Sequence, residues 1–243
     1  MTRPQPIAAP ESLHPSLWLA SQLAHSAIRC VDTGYAALSA QLPGGGWPLG
    51  SLTELMLQQS GIGEIRLLRP ALVGVAQRQV VLLGPPQLPQ GLALAALGLP
   101  PSKLLWIRGG ETKKGGGGGG DMLWAAEQVL RSGCCGALLL WQRHMRGETL
   151  RRLHLAAQSG DTLFCVLRPL SAAQDASPAP LRLALRAAAG GIDIEFVKRR
   201  GPQRDEPLFL PMPPSLLQRH ASLDRLSPAT APARSVLPQL VGG

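Results

Sequence analysis

Leu57-Gln58-Gln59-Ser60-Gly61-Ile62-Gly63-Glu64 follows an apolar run from Ser51 to Leu57 and precedes a helical pattern from Ile62 to Gln77. A strand, a glycine-rich turn and a helix in that order form the local plan of a mononucleotide-binding α/β core, whose loop amides and lysine wrap the phosphates. This turn has two glycines, Gly61 and Gly63, but no Lys followed by Ser or Thr. It places the carboxylate of Glu64 where cationic charge is wanted. In a low-dielectric pocket, such a like-charge contact with a triphosphate costs roughly several kcal/mol. The stretch therefore predicts the fold of a nucleotide-binding core together with a degenerate phosphate loop at Ser60, Gly61, Gly63 and Glu64.

Short apolar runs separated by helix-length segments continue on both sides of the loop. Strands are expected at Ser51 to Leu57, Gln79 to Gly84, Lys103 to Ile107, Ala137 to Trp141 and Thr162 to Leu167, with helices over Ile62 to Gln77, Gly91 to Leu97, Asp121 to Ser132 and Glu148 to Ser159. Such alternation implies crossover connections and a parallel sheet. Gly133 and Gly160 stand where helices end and a left-handed residue is needed, and Asp121 is placed to cap a helix start. Leu181 to Arg186 and Ile192 to Phe196 alternate apolar with polar or small residues around Gly190-Gly191, the signature of a hairpin. Leu208 to Leu210 is a candidate third strand, giving an antiparallel flap at the sheet edge.

The tract Gly115 to Gly120 has a large ordering entropy and almost nothing to bury, and is expected as a surface loop. Arg168 to Pro180, rich in Ala, Ser and Pro, reads as a linker. Glu11 to Arg29 carries apolar residues at helical spacing, which fits a partner or oligomer contact as well as packing on its own core. The residues after Pro211 read as a flexible tail, with a short helix over Ser215 to Arg225 that folds on a partner. The resulting division is an N-terminal arm and helix over 1–30, a core over 31–170, a β extension over 171–212 and a Pro-rich tail over 213–243.

The chain has 243 residues and a formal net charge of +9. Between 141 and 204, eleven Lys and Arg stand against five Asp and Glu. Arg143, Arg146, Arg151 and Arg152 follow the fourth strand, and Lys198, Arg199, Arg200 and Arg204 form a second basic group at a strand end or turn. Such excess favours encounter with nucleic acid or an acidic protein surface without specifying either, and a solvated basic face is the alternative. The five His residues have no acidic or Cys companion at ligand spacing, and Cys30, Cys134, Cys135 and Cys165 lack zinc spacing. They read as reduced and mostly buried. No catalytic residue, cofactor or metal is expected. With no basic leader and no stretch of about 18 apolar residues, the protein is expected in the cytoplasm, without membrane contact.

Further residues carry a resemblance. Thr33 to Leu38, then Leu42-Pro43-Gly44-Gly45-Gly46-Trp47-Pro48-Leu49-Gly50-Ser51-Leu52-Thr53-Glu54, resembles the segment of RecA leading to the phosphate loop. Arg131-Ser132-Gly133 and the run Ala137 to Trp141 resemble its metal-site strand. By that resemblance Trp141 stands at a lost metal position where RecA has an aspartate, and Pro85 or Pro86 replaces the glutamate that activates water. Within this superfamily the chain resembles the ImuA family, on Leu13-His14-Pro15-Ser16-Leu17-Trp18, Pro43 to Pro48, Gly61-Ile62-Gly63-Glu64, Trp124-Ala125-Ala126-Glu127-Gln128 and Lys198-Arg199-Arg200-Gly201-Pro202. The Gly115 to Gly120 tract departs from that pattern.

The resemblance implies an α/β fold with a RecA-like core, a mainly parallel central sheet flanked by helices, and a C-terminal antiparallel β extension. It also implies a non-catalytic adaptor in SOS-induced error-prone translesion DNA synthesis. Its partners would be an ImuB-like polymerase-related protein, with RecA and single-stranded DNA as further candidates, and it would join the nucleoid during repair. The basic residues Arg143, Arg146, Arg151, Arg152, Lys198, Arg199 and Arg200 are the candidate partner or DNA contacts. The alternative is a SulA-like division inhibitor that binds a tubulin-like protein. A residual DNA-dependent ATPase would need an unorthodox phosphate site.

Overall fold

Strand β3 (Ser51–Leu57) runs through the middle of an eight-stranded sheet, and every residue after Ser51 is buried. A computed structural model describes residues 29–108, 118–201 and 204–212. The expected N-terminal helix, residues 115–117 of the glycine tract and the tail after Met212 lie outside the described residues. A short antiparallel ribbon of β1 (Cys30–Asp32) and β2 (Gly46–Pro48) precedes β3, with the single-turn helix α1 (Ala36–Ser39) between its strands. Then follow α2 (Glu64–Val75), β4 (Gln79–Leu83), α3 (Gly91–Ala96), β5 (Leu104–Ile107), α4 (Gly118–Ser132), β6 (Cys135–Trp141), α5 (Gly147–Ala157) and β7 (Leu163–Pro169). The sheet closes with β8 (Leu181–Ala188), β9 (Gly191–Lys198) and β10 (Leu208–Pro211).

The strand order is β10-β9-β8-β3-β7-β6-β4-β5. The strands from β8 through β5 pair in parallel, and β9 and β10 are antiparallel at one edge. Both faces of the inner strands β4 and β6 are covered, so they read as nearly continuous apolar runs rather than alternating. Leu55 and Leu57 pack with Leu67, Leu68 and Leu72 of α2 on one face. Leu52, Leu138 and Phe164 pack with Leu130 of α4 and Leu150 and Leu153 of α5 on the other. Burying a Leu contributes about 1.5–3 kcal/mol, so these two layers hold the sheet. Among the described residues no helix is long and apolar enough to cross a membrane.

Helix α2 contains Pro70, which cannot donate to the carbonyl of Arg66 one turn earlier. The Tyr35 hydroxyl donates to that carbonyl at 3.2 Å, so the backbone acceptor is not left unpaired. Pro70 also fixes its neighbour. A Cβ on Gly34, whose φ is +77°, would lie 2.4 Å from the proline ring, and only glycine fits there.

Four sequence expectations change. Residues 168–180 are not a linker: Arg168 and Pro169 end β7, Leu170–Gln174 forms a 3-10 turn against the sheet, and Arg168, Ala172 and Ala179 are buried. Burial there follows from hydrogen bonding, since Arg182 Nη2 donates to the Ala172 carbonyl at 2.8 Å. The C-terminal strands are not wholly an antiparallel flap, because β8 pairs in parallel with β3 and extends the main sheet. Residues 118–120 of the glycine tract form the first turn of α4, which places Asp121 inside that helix rather than at its cap. Gly133 has the left-handed backbone expected of a helix end, with φ +61°, whereas Gly160 does not. Of the cysteines, all free, Cys135 and Cys165 are buried, Cys30 is half-buried and Cys134 is exposed.

Candidate functional site

The loop after β3 is anchored before it reaches its glycines. The Gln58 amide donates to the Leu185 carbonyl at 3.1 Å, and its side-chain oxygen accepts from the Ala187 amide at 3.2 Å. Gly61 and Gly63 then turn the chain with φ of +89° and +120°, a conformation that strains residues with a side chain. A Cβ on Gly63 would also press on Ile192 Cδ1 at 3.1 Å, so the strand edge limits what the turn can carry.

These turns aim amides inward, and the group they meet is internal. The Gly61 amide donates to Oε1 and Oε2 of Glu64 at 2.9 and 3.0 Å, and the Gly63 amide donates to Oε2 at 3.2 Å. Glu64 is 4% exposed and opens the 12-residue helix α2. A helix N-terminus carries about half a positive charge and favours an anion there. The carboxylate therefore sits where the helix start favours an anion and satisfies the amides there itself. Sequence reading placed Glu64 as a repulsive group, and its return to the amide cradle is the additional finding. The signal was present in the three-residue spacing of Gly61 and Glu64, the spacing at which a capping-box carboxylate reaches back to a free amide.

Trp141 ends β6 and is half-buried, packed against the core rather than filling a closed cavity. It walls two grooves that meet at Ser60. One, of about 300 Å³, runs between the loop, α2 and residues 85–97, with Pro85 and Pro86 on its wall. The other, of about 550 Å³, includes Gln59, Ser60, Gly84 and Arg143. The Trp141 Nε1 and the Arg66 Nη2, both in residues lining the first groove, are buried without a hydrogen-bond partner among the described residues. Arg66 was not legible as a site residue, since on a helix it reads as solvated. Among the described residues no group of three or more His, Cys, Asp and Glu is placed to hold a metal ion.

The basic residues divide between the two ends of the sheet. Arg143 stands beside the loop, and Arg146 lines a shallow groove with His144 and Asp175. Arg151 and Arg152 lie on α5. Arg152 Nε lies 2.8 Å from Glu127, which also holds Arg131 at 2.7 Å, so its charge is engaged. Strand β9 runs back along β8, which brings Lys198 opposite Arg182, the partner of Glu54 midway along β3. Lys198 donates to the Ser177 carbonyl at 3.0 Å. Arg199 donates to the Gln41 carbonyl at 2.6 Å and stacks 4.9 Å from the Phe196 ring centre, which ties the hairpin to the segment after α1. Arg200 lines a separate cleft at that end.

No protein-family model matches the chain, and no curated protein matches it.

Proposed function

We propose that the chain is a non-catalytic adaptor on a RecA-like scaffold, acting in SOS-induced error-prone translesion DNA synthesis as its resemblance to the ImuA family implies. The observation that supports this reading most is the Glu64 carboxylate held by the Gly61 and Gly63 amides at 2.9–3.2 Å. A triphosphate entering the loop must displace that carboxylate and then lie beside it. Two like charges 4 Å apart cost about 4 kcal/mol at an effective dielectric of about 20. The loop has no lysine to offset this, and Trp141 offers a metal no ligand.

A scaffold whose loop is completed by its own side chain is stable without nucleotide, and its surface is free to bind partners at all times. Arg143, Arg146 and Arg151 give it exposed cationic groups. The proposed partners are an ImuB-like polymerase-related protein, RecA and single-stranded DNA.

The experiment is capture of a purified ImuB-like protein by the full chain, with and without ATP and with the residues after Pro211 deleted. Capture independent of ATP is expected. Capture only with ATP contradicts the adaptor reading, and absence of capture together with inhibition of a tubulin-like protein's polymerisation replaces it with the SulA-like one.

A further inference from the structure

We propose that the cleft at the N-terminal end of the parallel strands binds a small phosphoryl-bearing ligand, held through Arg200, His154 and Ser51. The cleft is about 270 Å³ and lies at the opposite end of the sheet from the Ser60–Glu64 loop. Pro43, Pro48 and Leu49 give it apolar walls. This site is independent of the adaptor function proposed above.

The polar groups around it are nearly all donors. Arg200 is exposed and carries no ion pair among the described residues. Asp161 is the carboxylate of the cleft, and its Oδ2 is paired with Arg29 Nη1, which offsets its charge and leaves Oδ1 as a further acceptor. The Ser51 hydroxyl is buried without a partner among the described residues. His154 accepts the Leu52 amide on Nδ1 at 3.2 Å. An amide only donates, so this bond fixes the ring proton on Nε2. The side-chain nitrogen of Gln158, also a donor, lies 3.4 Å from that nitrogen, so the two N–H groups do not satisfy each other, and both residues line the cleft.

Burial, then Arg200 and Lys198, hold the His154 pKa below its ordinary value, consistent with a positive potential in the cleft. Donors arriving from separate elements suit a tetrahedral group with several acceptor oxygens, and guanidinium–phosphate bonds are charge-assisted. The volume leaves room for a body of a few carbons beside that group, against the proline and leucine walls. A nucleic-acid strand is a poorer fit, because single-strand grooves need a basic track with stacking aromatics and no aromatic lines this cleft among the described residues.

The test follows the backbone amides of Leu52 and Gly50 in ¹H–¹⁵N spectra of the full chain. Inorganic phosphate, glycerol 3-phosphate and a 5′-phosphorylated oligonucleotide are titrated separately. Saturable shifts at both amides are expected, with half-saturation on the order of 1 mM for the small probes. Tighter binding of glycerol 3-phosphate assigns the site to a phosphate monoester, and equal binding assigns it to free phosphate. Arg200→Ala, at an exposed position, should weaken either about tenfold, while Arg143→Ala at the other end should leave it unchanged. Absence of saturable shifts, shifts indifferent to Arg200→Ala, or a response to the oligonucleotide alone would each overturn the proposal. None of these outcomes alters the ATP-independence expected of partner capture.

Discussion

Arg182 Nε lies 2.6 Å from Oε2 of Glu54, within a sheet where Glu54 has no exposed surface. Arg168 Nη1 takes the other oxygen at 3.0 Å, and its Nη2 reaches Asp175 at 2.8 Å. One carboxylate on β3 thus joins β7 on one side to β8 on the other. A buried charge is tolerated only when paired, and removing one partner leaves the others uncompensated. Glu54→Gln should therefore destabilise the chain by about 3 kcal/mol or more, measured by urea unfolding. The control is Arg186→Ala. Its partner Glu195 is 3.9 Å away with both side chains half exposed, so the change should be under about 0.5 kcal/mol. Similar losses for the two variants would show that the network does not hold the strands.

Glu64→Ala removes the acceptor for two loop amides at the start of α2. A loss of about 1–2 kcal/mol is expected, as for a deleted helix cap. The vacated amides should then accept an external anion. In an Arg200→Ala background, where the opposite cleft is weakened, phosphate should raise the melting temperature of the Glu64→Ala chain more than that of the chain with Glu64. Equal responses would place the anion elsewhere.

Charge reversals at neighbouring arginines should separate. Arg151 is exposed and carries no ion pair among the described residues, so Arg151→Glu should leave stability within about 0.5 kcal/mol and report on partner binding alone. Arg152→Glu sets a second carboxylate beside Glu127 and should lower the melting temperature as well. Thermal unfolding of both variants alongside partner capture decides whether a binding loss at Arg152 is a surface effect.

His154 gives a pH dependence whose sign is fixed by its lowered pKa. The unfolded chain takes up a proton at about 6.5, and the folded chain does so only at lower pH. The contribution of neutral His154 is present above 6.5 and is lost as pH falls through the folded value. Protonation also puts a hydrogen on Nδ1 facing the Leu52 amide. The ring should titrate below 6.5 by NMR, and the stability difference between the native chain and His154→Gln should shrink as pH falls below that point. A ring midpoint at or above 6.5 would refute the assigned geometry.

Much of the sheet was legible because burial on both faces leaves an unbroken apolar run, as in Ala137 to Leu140, and because helix-length gaps force parallel pairing. The β8–β9 hairpin was legible from Gly190-Gly191. What the sequence hid depends on partners far along the chain. Leu181-Arg182-Leu183 reads as a strand with a solvated arginine, and only Glu54, 128 residues earlier, makes Arg182 an interior group. Residues 168–180 read as a linker because alanine and serine carry little burial signal, yet the arginines draw that segment onto the sheet. At the loop, the missing lysine was visible, but which group occupies the amides depends on the turn that Gly61 and Gly63 impose.

Glu64 holds the Gly61 and Gly63 amides that a nucleotide phosphate would need. Calorimetric titration of Mg·ATP into the full chain, in both the native and Arg200→Ala forms, tests this most directly. The Arg200→Ala chain should show no saturable binding up to about 1 mM, and the native chain nothing tighter than its cleft. A dissociation constant in the micromolar range, on the order of −8 kcal/mol and unaffected by Arg200→Ala, would contradict it.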